Sequence, residues 1–253
     1  MRTIPSSELI INGDGSIFHL HLKPEQLADI VILVGDPGRV AMIAEYFDTK
    51  ECEVANREFL TVTGRYKGKR MTVMSTGIGI GNIDICVTEL DALANIDFQT
   101  RQVKDSFRQL TLVRLGTSGA IQRDIEVGEV VFARTSLGFD GLLSYYAGRD
   151  GACDLDLEAA FEEHTAWDKK LPAPYFVNAH DDLYELFKDS TREGITIAAP
   201  GFYAPQGRWV RLAPHDLTLN EKIESFSFKG RRITNFEMEG SALAGLSALM
   251  GHR

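Results

Sequence analysis

The sequence predicts an α/β fold: a three-layer α/β/α sandwich in which helices cover a central mixed sheet. The prediction starts from residues 29–35, an apolar, β-branched run that ends at a glycine and is typical of a strand buried on both faces. The apolar side chains that follow recur at the spacing of one helical face: Val40, Ile43, Ala44 and Phe47. A strand, a tight turn and a helix therefore follow one another, as they do where helices pack on a sheet.

The same order returns further along the chain. A strand over 71–75 leads into the glycine-rich loop 76–81, and an apolar helical stripe follows through 83–93. More strands are predicted from similar apolar runs: 111–115, 127–133 and 195–199. A last helix over 238–250 stops at Gly251, a residue type that commonly ends helices. Strands interleaved with helices favour a layered α/β sheet.

Length and composition allow one large domain. The chain has 253 residues, of which 44% are hydrophobic and 25% charged, enough apolar surface to bury a sizeable core. We expect residues 1–253 to form a single domain. The acidic, proline-punctuated tract 154–174 is expected to be an inserted loop and helix pair, either over a site or at a subunit contact.

Charge and cysteine usage exclude several classes of protein. The formal net charge is −9, so neither nucleic acid nor a membrane surface is an expected partner. Cys52, Cys86 and Cys153 lack metal-site spacing and leave an odd thiol, which argues against a disulfide framework or a zinc ribbon. Neither a signal-peptide pattern nor an apolar run of the roughly 20 residues needed to span a membrane is found. We therefore expect a cytoplasmic protein.

The turn from Gly35 to Arg39, with the sequence GDPGR, is a candidate phosphate cradle. Glycines let the backbone approach a ligand, exposed amides can face an anion, and Arg39 adds a charged fork. An ordinary turn between strand and helix, with a solvated arginine, explains the same residues equally well. The motif alone leaves both interpretations open.

Arg114 interrupts an apolar strand just before a glycine and two hydroxyl side chains, which begin at Thr117. Burying a guanidinium without an anion is costly. Because ligands of α/β sheets bind beyond the carboxyl ends of strands, Arg39 and Arg114 could converge on one tetrahedral anion. The alternative is an internal pair between Arg114 and a carboxylate.

The loop from Gly77 to Gly81 has the spacing GxGxG, which suggests a dinucleotide site only weakly. Asn82 stands where a third glycine of the dinucleotide fingerprint would be expected. A nicotinamide-dependent oxidoreductase on a doubly wound sheet is therefore a rival from another class of enzyme.

The segment FYAPQGR combines aromatic rings, an amide and a guanidinium after a predicted strand. Phe202 can stack on a planar heterocycle, while Gln206 and Arg208 together complement the carbonyl and imide edge of uracil. A surface loop with one packed aromatic is the competing interpretation.

Two acidic residues, Glu237 and Glu239, flank Met238 at the start of the last predicted helix. Helix capping would explain one of them. A carboxylate can also accept hydrogen bonds from both hydroxyls of a ribose and stabilise positive charge on the sugar. His19, in an apolar context near the N-terminus, and Arg57, just before a predicted strand, are further candidate site residues. Taken singly, each is more often a packing or surface residue.

Taken together, these motifs resemble the nucleoside phosphorylase superfamily, with its phosphorylase/hydrolase-like fold, and within it the members that act on uridine. The resemblance extends from about Ile17 to Arg253. The strings that carry it are FHL at 18–20, GDPGR at 35–39, NREF at 56–59, STGIGIGN at 75–82, RLGTSGA at 114–120, FYAPQGR at 202–208 and NFEMEGSA at 235–242. In this order they are far more specific than any single motif.

The resemblance implies a role for each matching position. The phosphate-binding residues would be Gly35, Arg39, Arg57, Arg114 and Thr117. The ribose-binding residues would be His19, Thr117, Met238 and Glu239. The base-binding residues would be Phe202, Gln206 and Arg208, and the catalytic residues Arg114, Arg208 and Glu239. Arg57 and His19 would come from a neighbouring subunit, so sites shared across a dimer interface of a homo-oligomer are implied.

The implied activity is reversible phosphorolysis of uridine to uracil and ribose 1-phosphate, in nucleoside catabolism and pyrimidine salvage. Inorganic phosphate would be a co-substrate, and neither a cofactor nor a metal is implied. The rivals on the same fold are a purine nucleoside phosphorylase, a nucleosidase that uses water and an inactive nucleoside-binding protein. The sequence departs from the family in reading GIGIGN rather than GIGGPS, and in apparently lacking the family's last strand and helix.

Overall fold

The computed structural model describes residues 2–253, which group into two compact units. The first unit comprises the chain up to Gly116 together with Met250–Arg253, and the second comprises Thr117–Leu249. Each unit contains its own mixed sheet. The predicted mixed α/β fold is confirmed.

The first unit is built around the predicted first strand. Its strands are β1 (Ile30–Val34), β2 (Thr49–Asn56), β3 (Phe59–Tyr66), β4 (Lys69–Ser75), β5 (Ile96–Asp97), β6 (Gln102–Val103) and β7 (Thr111–Arg114). Its helices are α1 (Pro37–Ala44) and α2 (Ile80–Asn95), with a short 3-10 helix at Pro24–Gln26. Strands β5 and β6 pair with each other in a small separate ribbon.

The main sheet of this unit has the order β2-β3-β4-β1-β7. Strand β1 runs parallel to both β4 and β7, whereas β2, β3 and β4 form an antiparallel meander. Val31, Leu33 and Val34 of β1 are fully buried, as the continuous apolar run predicts for a strand in the middle of a sheet. The register sets Leu33 opposite Arg114, so the carboxyl ends of β1 and β7 lie side by side.

The second unit holds the remaining elements. Its strands are β8 (Gly119–Ala120), β9 (Val131–Gly138), β10 (Tyr175–Asn178), β11 (Arg192–Ala198), β12 (Ser227–Phe228) and β13 (Arg231–Glu237). Its helices are α3 (Arg149–Ala152), α4 (Leu155–Thr165), α5 (Asp181–Phe187), α6 (Leu219–Ser225) and α7 (Gly240–Met250), with short 3-10 helices at Leu142–Tyr145 and Ala204–Gln206. The main strand order is β10-β9-β11-β13-β12, and β8 also pairs with β13.

One predicted strand was placed too early. The prediction covered 127–133, but β9 spans Val131–Gly138, because Gly128 turns the chain with φ +92° before the strand begins. The strand then continues through polar residues that the apolar pattern did not include. Thr135 is buried, and its hydroxyl donates to Asn178 Oδ1 on the neighbouring strand β10 at 2.7 Å. A buried polar side chain is acceptable there because it has a partner.

The acidic tract 154–174 supplies a helix and part of the core. Helix α4 lies within it, and Leu157 and Phe161 of α4 belong to one buried cluster with Phe176 of β10 and Ile197 of β11. Asp154 caps α4 by accepting a hydrogen bond from the amide of Leu157 at 3.1 Å.

Among residues 2–253, no helix combines the length and apolar character needed to cross a membrane.

Candidate active site

Two arginines of the first unit converge on Gly35. A Cβ atom built on this buried glycine would lie 3.2 Å from Arg39 Nη2 and 3.8 Å from Arg114 Nη2. The convergence follows from the sheet, because Gly35 directly follows β1 and Arg114 ends the parallel neighbour β7. Two guanidinium groups at the carboxyl ends of adjacent strands form a site suited to a tetrahedral anion.

The backbone after β7 orients both arginines. Arg39 Nη1 donates to the carbonyl of Leu115 at 3.0 Å, and the amide of Leu115 donates to the carbonyl of Leu33 at 2.8 Å. A Cβ on Gly116 would lie 2.1 Å from Arg114 Nη1. The order arginine, leucine, glycine therefore has a physical reason, since the guanidinium of Arg114 needs the space beside Gly116.

The turn before α1 is not itself a free helix terminus. Asp36 caps α1, and its Oδ1 accepts from the amide of Gly38 at 2.9 Å. The interpretation of exposed amides facing an anion needs correction at Gly38, because a carboxylate already occupies that place and would repel a second anion. The capacity to bind an anion therefore depends mainly on Arg39 and Arg114.

His19 and Arg57 come together in a separate cluster of the first unit. Arg57 lies in the two-residue turn between β2 and β3 with φ +55°, an unusual conformation for a side chain of this size. Its guanidinium carbon is 5.8 Å from the centre of the Phe18 ring, and Asn56 Nδ2 donates to the carbonyl of His19 at 2.8 Å. Residues far apart in sequence thus lie together in one cluster.

Sequence reasoning missed Glu89, which holds the His19 segment. Its carboxylate accepts from the amide of Leu20 at 2.8 Å and contacts His19 Nδ1 at 2.6 Å. Glu89 lies in α2 and is only 9% exposed. The signal in the sequence was a carboxylate in the middle of an apolar helical stripe, where a charged residue needs a specific partner.

The glycine-rich loop before α2 is closely packed. Gly77 has φ +70°, and a Cβ there would lie 2.6 Å from Asn82 Nδ2 and 3.0 Å from Glu58 Cγ. Asn82 therefore occupies the space beside the backbone that a pyrophosphate would need in a dinucleotide fold.

Among residues 2–253, no group of three or more histidine, cysteine or carboxylate side chains could hold a metal ion.

In the second unit, Arg208 links Phe202 and Gln206. Its Nη1 donates to the carbonyl of Phe202 at 2.7 Å and to Gln206 Oε1 at 2.5 Å. Its guanidinium carbon lies 3.8 Å from the centre of the Phe202 ring. Since Arg208 covers one face of the ring and Phe202 is half exposed, a planar ligand would use the other face or the edge.

Asn220 of helix α6 holds the loop that contains Gln206 and Gly207. Gly207 has φ +75°, and a Cβ there would lie 2.2 Å from Asn220 Nδ2, so a larger residue would not fit. Asn220 Nδ2 also donates to the carbonyl of Gln206 at 3.2 Å. Gln206 is 6% exposed. Asn220 therefore fixes the backbone of Gln206, and Arg208 fixes its side-chain oxygen.

The two acidic residues at the start of α7 have different environments. Glu237 accepts from the amides of Glu239 and Gly240, at 2.9 and 2.8 Å, and so is the capping residue that the sequence suggested. Glu239 is 4% exposed, and Met238 between them is partly buried. Thr117 lies in the exposed segment before β8, where a Cβ on Gly119 would lie 3.8 Å from Arg208 Nη2.

Comparison with known proteins identifies the family. Residues 29–253 match the phosphorylase superfamily, and the chain belongs to it. The uridine phosphorylase of Thermococcus kodakarensis is 30% identical over 254 residues, covering 98% of this chain and 78% of the relative. The DeoD-type purine nucleoside phosphorylase of Bacillus subtilis is also 30% identical, over 246 residues that cover 90% of this chain and 98% of the relative.

A solved structure agrees with these relatives. The nucleoside phosphorylase of Trypanosoma brucei, described as showing uridine phosphorylase activity, is 29% identical with a TM-score of 0.85, and the match covers 97% of this chain and 87% of that one. The chain is therefore a nucleoside phosphorylase, a pentosyltransferase whose family binds nucleosides and phosphate.

Replacing Gly116 by alanine tests the geometry of the arginine pair. The new Cβ would displace the end of the Arg114 side chain, whereas the surrounding backbone would not need to move. We expect the dissociation constant for phosphate, measured by calorimetry, to rise about tenfold with little change in the thermal unfolding midpoint. The control is Gly13→Ala in the same unit, where no atom lies within 4 Å of the new Cβ. Unchanged phosphate binding in Gly116→Ala would contradict this geometry.

Proposed function

We propose that this nucleoside phosphorylase acts on uridine, giving uracil and ribose 1-phosphate in a reversible reaction of nucleoside catabolism and pyrimidine salvage. The observation that carries the proposal is the hydrogen-bonded set of Phe202, Gln206 and Arg208. Arg208 has donors only, and the Gln206 amide adds two donors to an acceptor oxygen. Such a set complements the two carbonyl oxygens and the imide N–H of uracil.

The charge of the leaving group supports uracil over a purine. As the bond from C1′ to N1 breaks, the negative charge of uracil is shared by two carbonyl oxygens, and a guanidinium can stabilise it without giving up a proton. A departing purine concentrates charge on a ring nitrogen, which favours protonation by an acid. A guanidinium group is a poor proton donor, so an arginine at position 208 suits the first reaction better.

Phosphate is proposed as the nucleophile, with Gly35, Arg39, Arg114 and Thr117 as its ligands. A divalent anion relieves the repulsion between the converging guanidinium groups of Arg39 and Arg114. Arg114 would also fix the anion in the orientation needed for attack on C1′. No further cofactor is proposed.

The ribose is assigned to Glu239, Met238 and Thr117. Glu237 caps α7. Glu239, which is 4% exposed, is assigned to accept hydrogen bonds from the two ribose hydroxyls, the role that the family resemblance implies for this position. Its negative charge would also stabilise the positive charge that develops on the sugar in the transition state. Arg114, Arg208 and Glu239 are therefore the proposed catalytic residues.

A dimer with shared sites is part of the proposal. His19 and Arg57 form one cluster of their own, and the atoms nearest the Cβ position of Gly35 belong instead to Arg39, Gly77 and Arg114. We propose that this cluster serves a second copy of the chain, where Arg57 contacts phosphate and His19 contacts the 5′-hydroxyl.

A cytoplasmic location is also proposed, because the free thiols of Cys52, Cys86 and Cys153 suit a reducing compartment.

The alternative is a purine nucleoside phosphorylase. It is favoured by the relative from Bacillus subtilis, which is as similar in identity as the relative from Thermococcus kodakarensis. An assay of uracil release from uridine, with and without phosphate and with inosine in parallel, separates the two. We expect phosphate-dependent cleavage of uridine and little cleavage of inosine. Preference for inosine would overturn the base assignment, and release without phosphate would indicate a nucleosidase.

Replacing Arg208 by lysine tests its proposed role. Lysine keeps the positive charge but loses the planar guanidinium, whose carbon lies 3.8 Å from the centre of the Phe202 ring while Nη1 donates to the Phe202 carbonyl and to Gln206. We expect kcat/KM for uridine to fall about a hundredfold, the typical effect of losing one donor to a developing anion. Arg211→Lys, at an exposed arginine three residues further along the chain, is the matched control and should behave like the wild type. Equal activity of the two variants would remove Arg208 from the mechanism.

A further inference from the structure

The segment around His19 is anchored on both sides by buried apolar residues. Ile17, Leu20 and Leu22 are at most 1% exposed, and His21 takes a left-handed conformation with φ +56°. The side chain of His19 itself keeps 29% of its surface exposed. The backbone is therefore fixed while part of the imidazole faces outward.

Glu89 makes several contacts to this segment with one carboxylate. Both its oxygens lie 3.1 Å from the amide of His19, and Oε2 also accepts from the amide of Leu20 at 2.8 Å. Its Oε1 lies 2.6 Å from His19 Nδ1. The carboxylate thus fixes both the backbone and the ring of the same histidine.

The chemistry of the pair determines which ring nitrogen carries the proton. An ionised carboxylate only accepts hydrogen bonds, so Nδ1 must be the donor in this contact. In the neutral imidazole, the other nitrogen, Nε2, then carries a lone pair and acts as an acceptor. The ring also packs edge to face on Phe18, with centroids 4.7 Å apart, which limits its rotation.

We propose that Glu89 is a positioning residue that keeps His19 in the Nδ1-protonated form, so that Nε2 accepts a hydrogen bond from the 5′-hydroxyl of the nucleoside. The inference rests on the proposed function, in which His19 contacts that hydroxyl in the dimer. Its consequence is a substrate class: nucleosides with a free 5′-hydroxyl donor are preferred over 5′-deoxynucleosides.

A glutamine at position 89 would disturb this arrangement in a specific way. Its single acceptor oxygen can serve the backbone amides of His19 and Leu20, and its amino group then faces Nδ1 as a donor. Nδ1 must accept in that arrangement, so the proton moves to Nε2. The backbone contacts are largely retained while the ring nitrogen that meets the substrate changes from acceptor to donor.

The first test is the nitrogen NMR spectrum of the wild-type imidazole, assigned with a His19→Ala variant. We expect Nδ1 protonated and Nε2 with a lone pair in the neutral ring. The opposite tautomer would overturn the proposal. This measurement requires neither turnover nor a stable Glu89 variant, so it can be judged even if uridine proves not to be the substrate.

The second test compares uridine with 5′-deoxyuridine in Glu89→Gln and His19→Ala. We expect kcat/KM for uridine to fall about tenfold in both variants, and kcat/KM for 5′-deoxyuridine to change less than about twofold. The matched control is Glu53→Gln, the same substitution on the exposed face of β2. Equal losses on both substrates would mean that Glu89 only stabilises the fold, and would overturn the proposal. Absence of uridine cleavage by the wild type would instead refute the proposed function.

Discussion

The convergence of Arg39 and Arg114 on Gly35 is the constraint around which the first unit is organised. Two like charges are held at the ends of adjacent parallel strands, within 4 Å of the position that a Cβ of Gly35 would occupy. Several local features make this possible, including the absence of a side chain at Gly116 and the donation from Arg39 to the Leu115 carbonyl. The sheet register, the glycines and the arginines therefore act together to bring two guanidinium groups to one point, an arrangement suited to an anion.

The second unit also holds a guanidinium group in place. Arg208 donates to a backbone carbonyl and to an amide oxygen, so the Arg208 and Gln206 side chains fix each other. The two carboxylates at the start of α7 differ: Glu237 caps the helix, and Glu239 is the residue proposed to bind the sugar. Preorganised polar groups of this kind are how enzymes stabilise charge in a transition state.

Much of this arrangement could be predicted from sequence, and the exceptions have physical reasons. The buried strand β1 and the arginine at the end of β7 were evident because apolar runs and their interruption are local patterns. Strand β9 was misplaced because its buried polar residues are satisfied by a partner strand that local sequence does not show. Glu89 was missed for a similar reason, since its partners at His19 and Leu20 lie about 70 residues away. Contacts between residues far apart in the sequence therefore set the side-chain positions that local patterns do not predict.

The most direct test of the central claim is a double-mutant cycle on phosphate binding. Calorimetry would give the dissociation constant for phosphate in the wild type, Arg39→Ala, Arg114→Ala and the double variant. If both guanidinium groups hold the same anion, each single change weakens binding and the two losses are coupled by about 1 kcal/mol or more. Losses that simply add, or phosphate binding that persists in the double variant, would contradict the account.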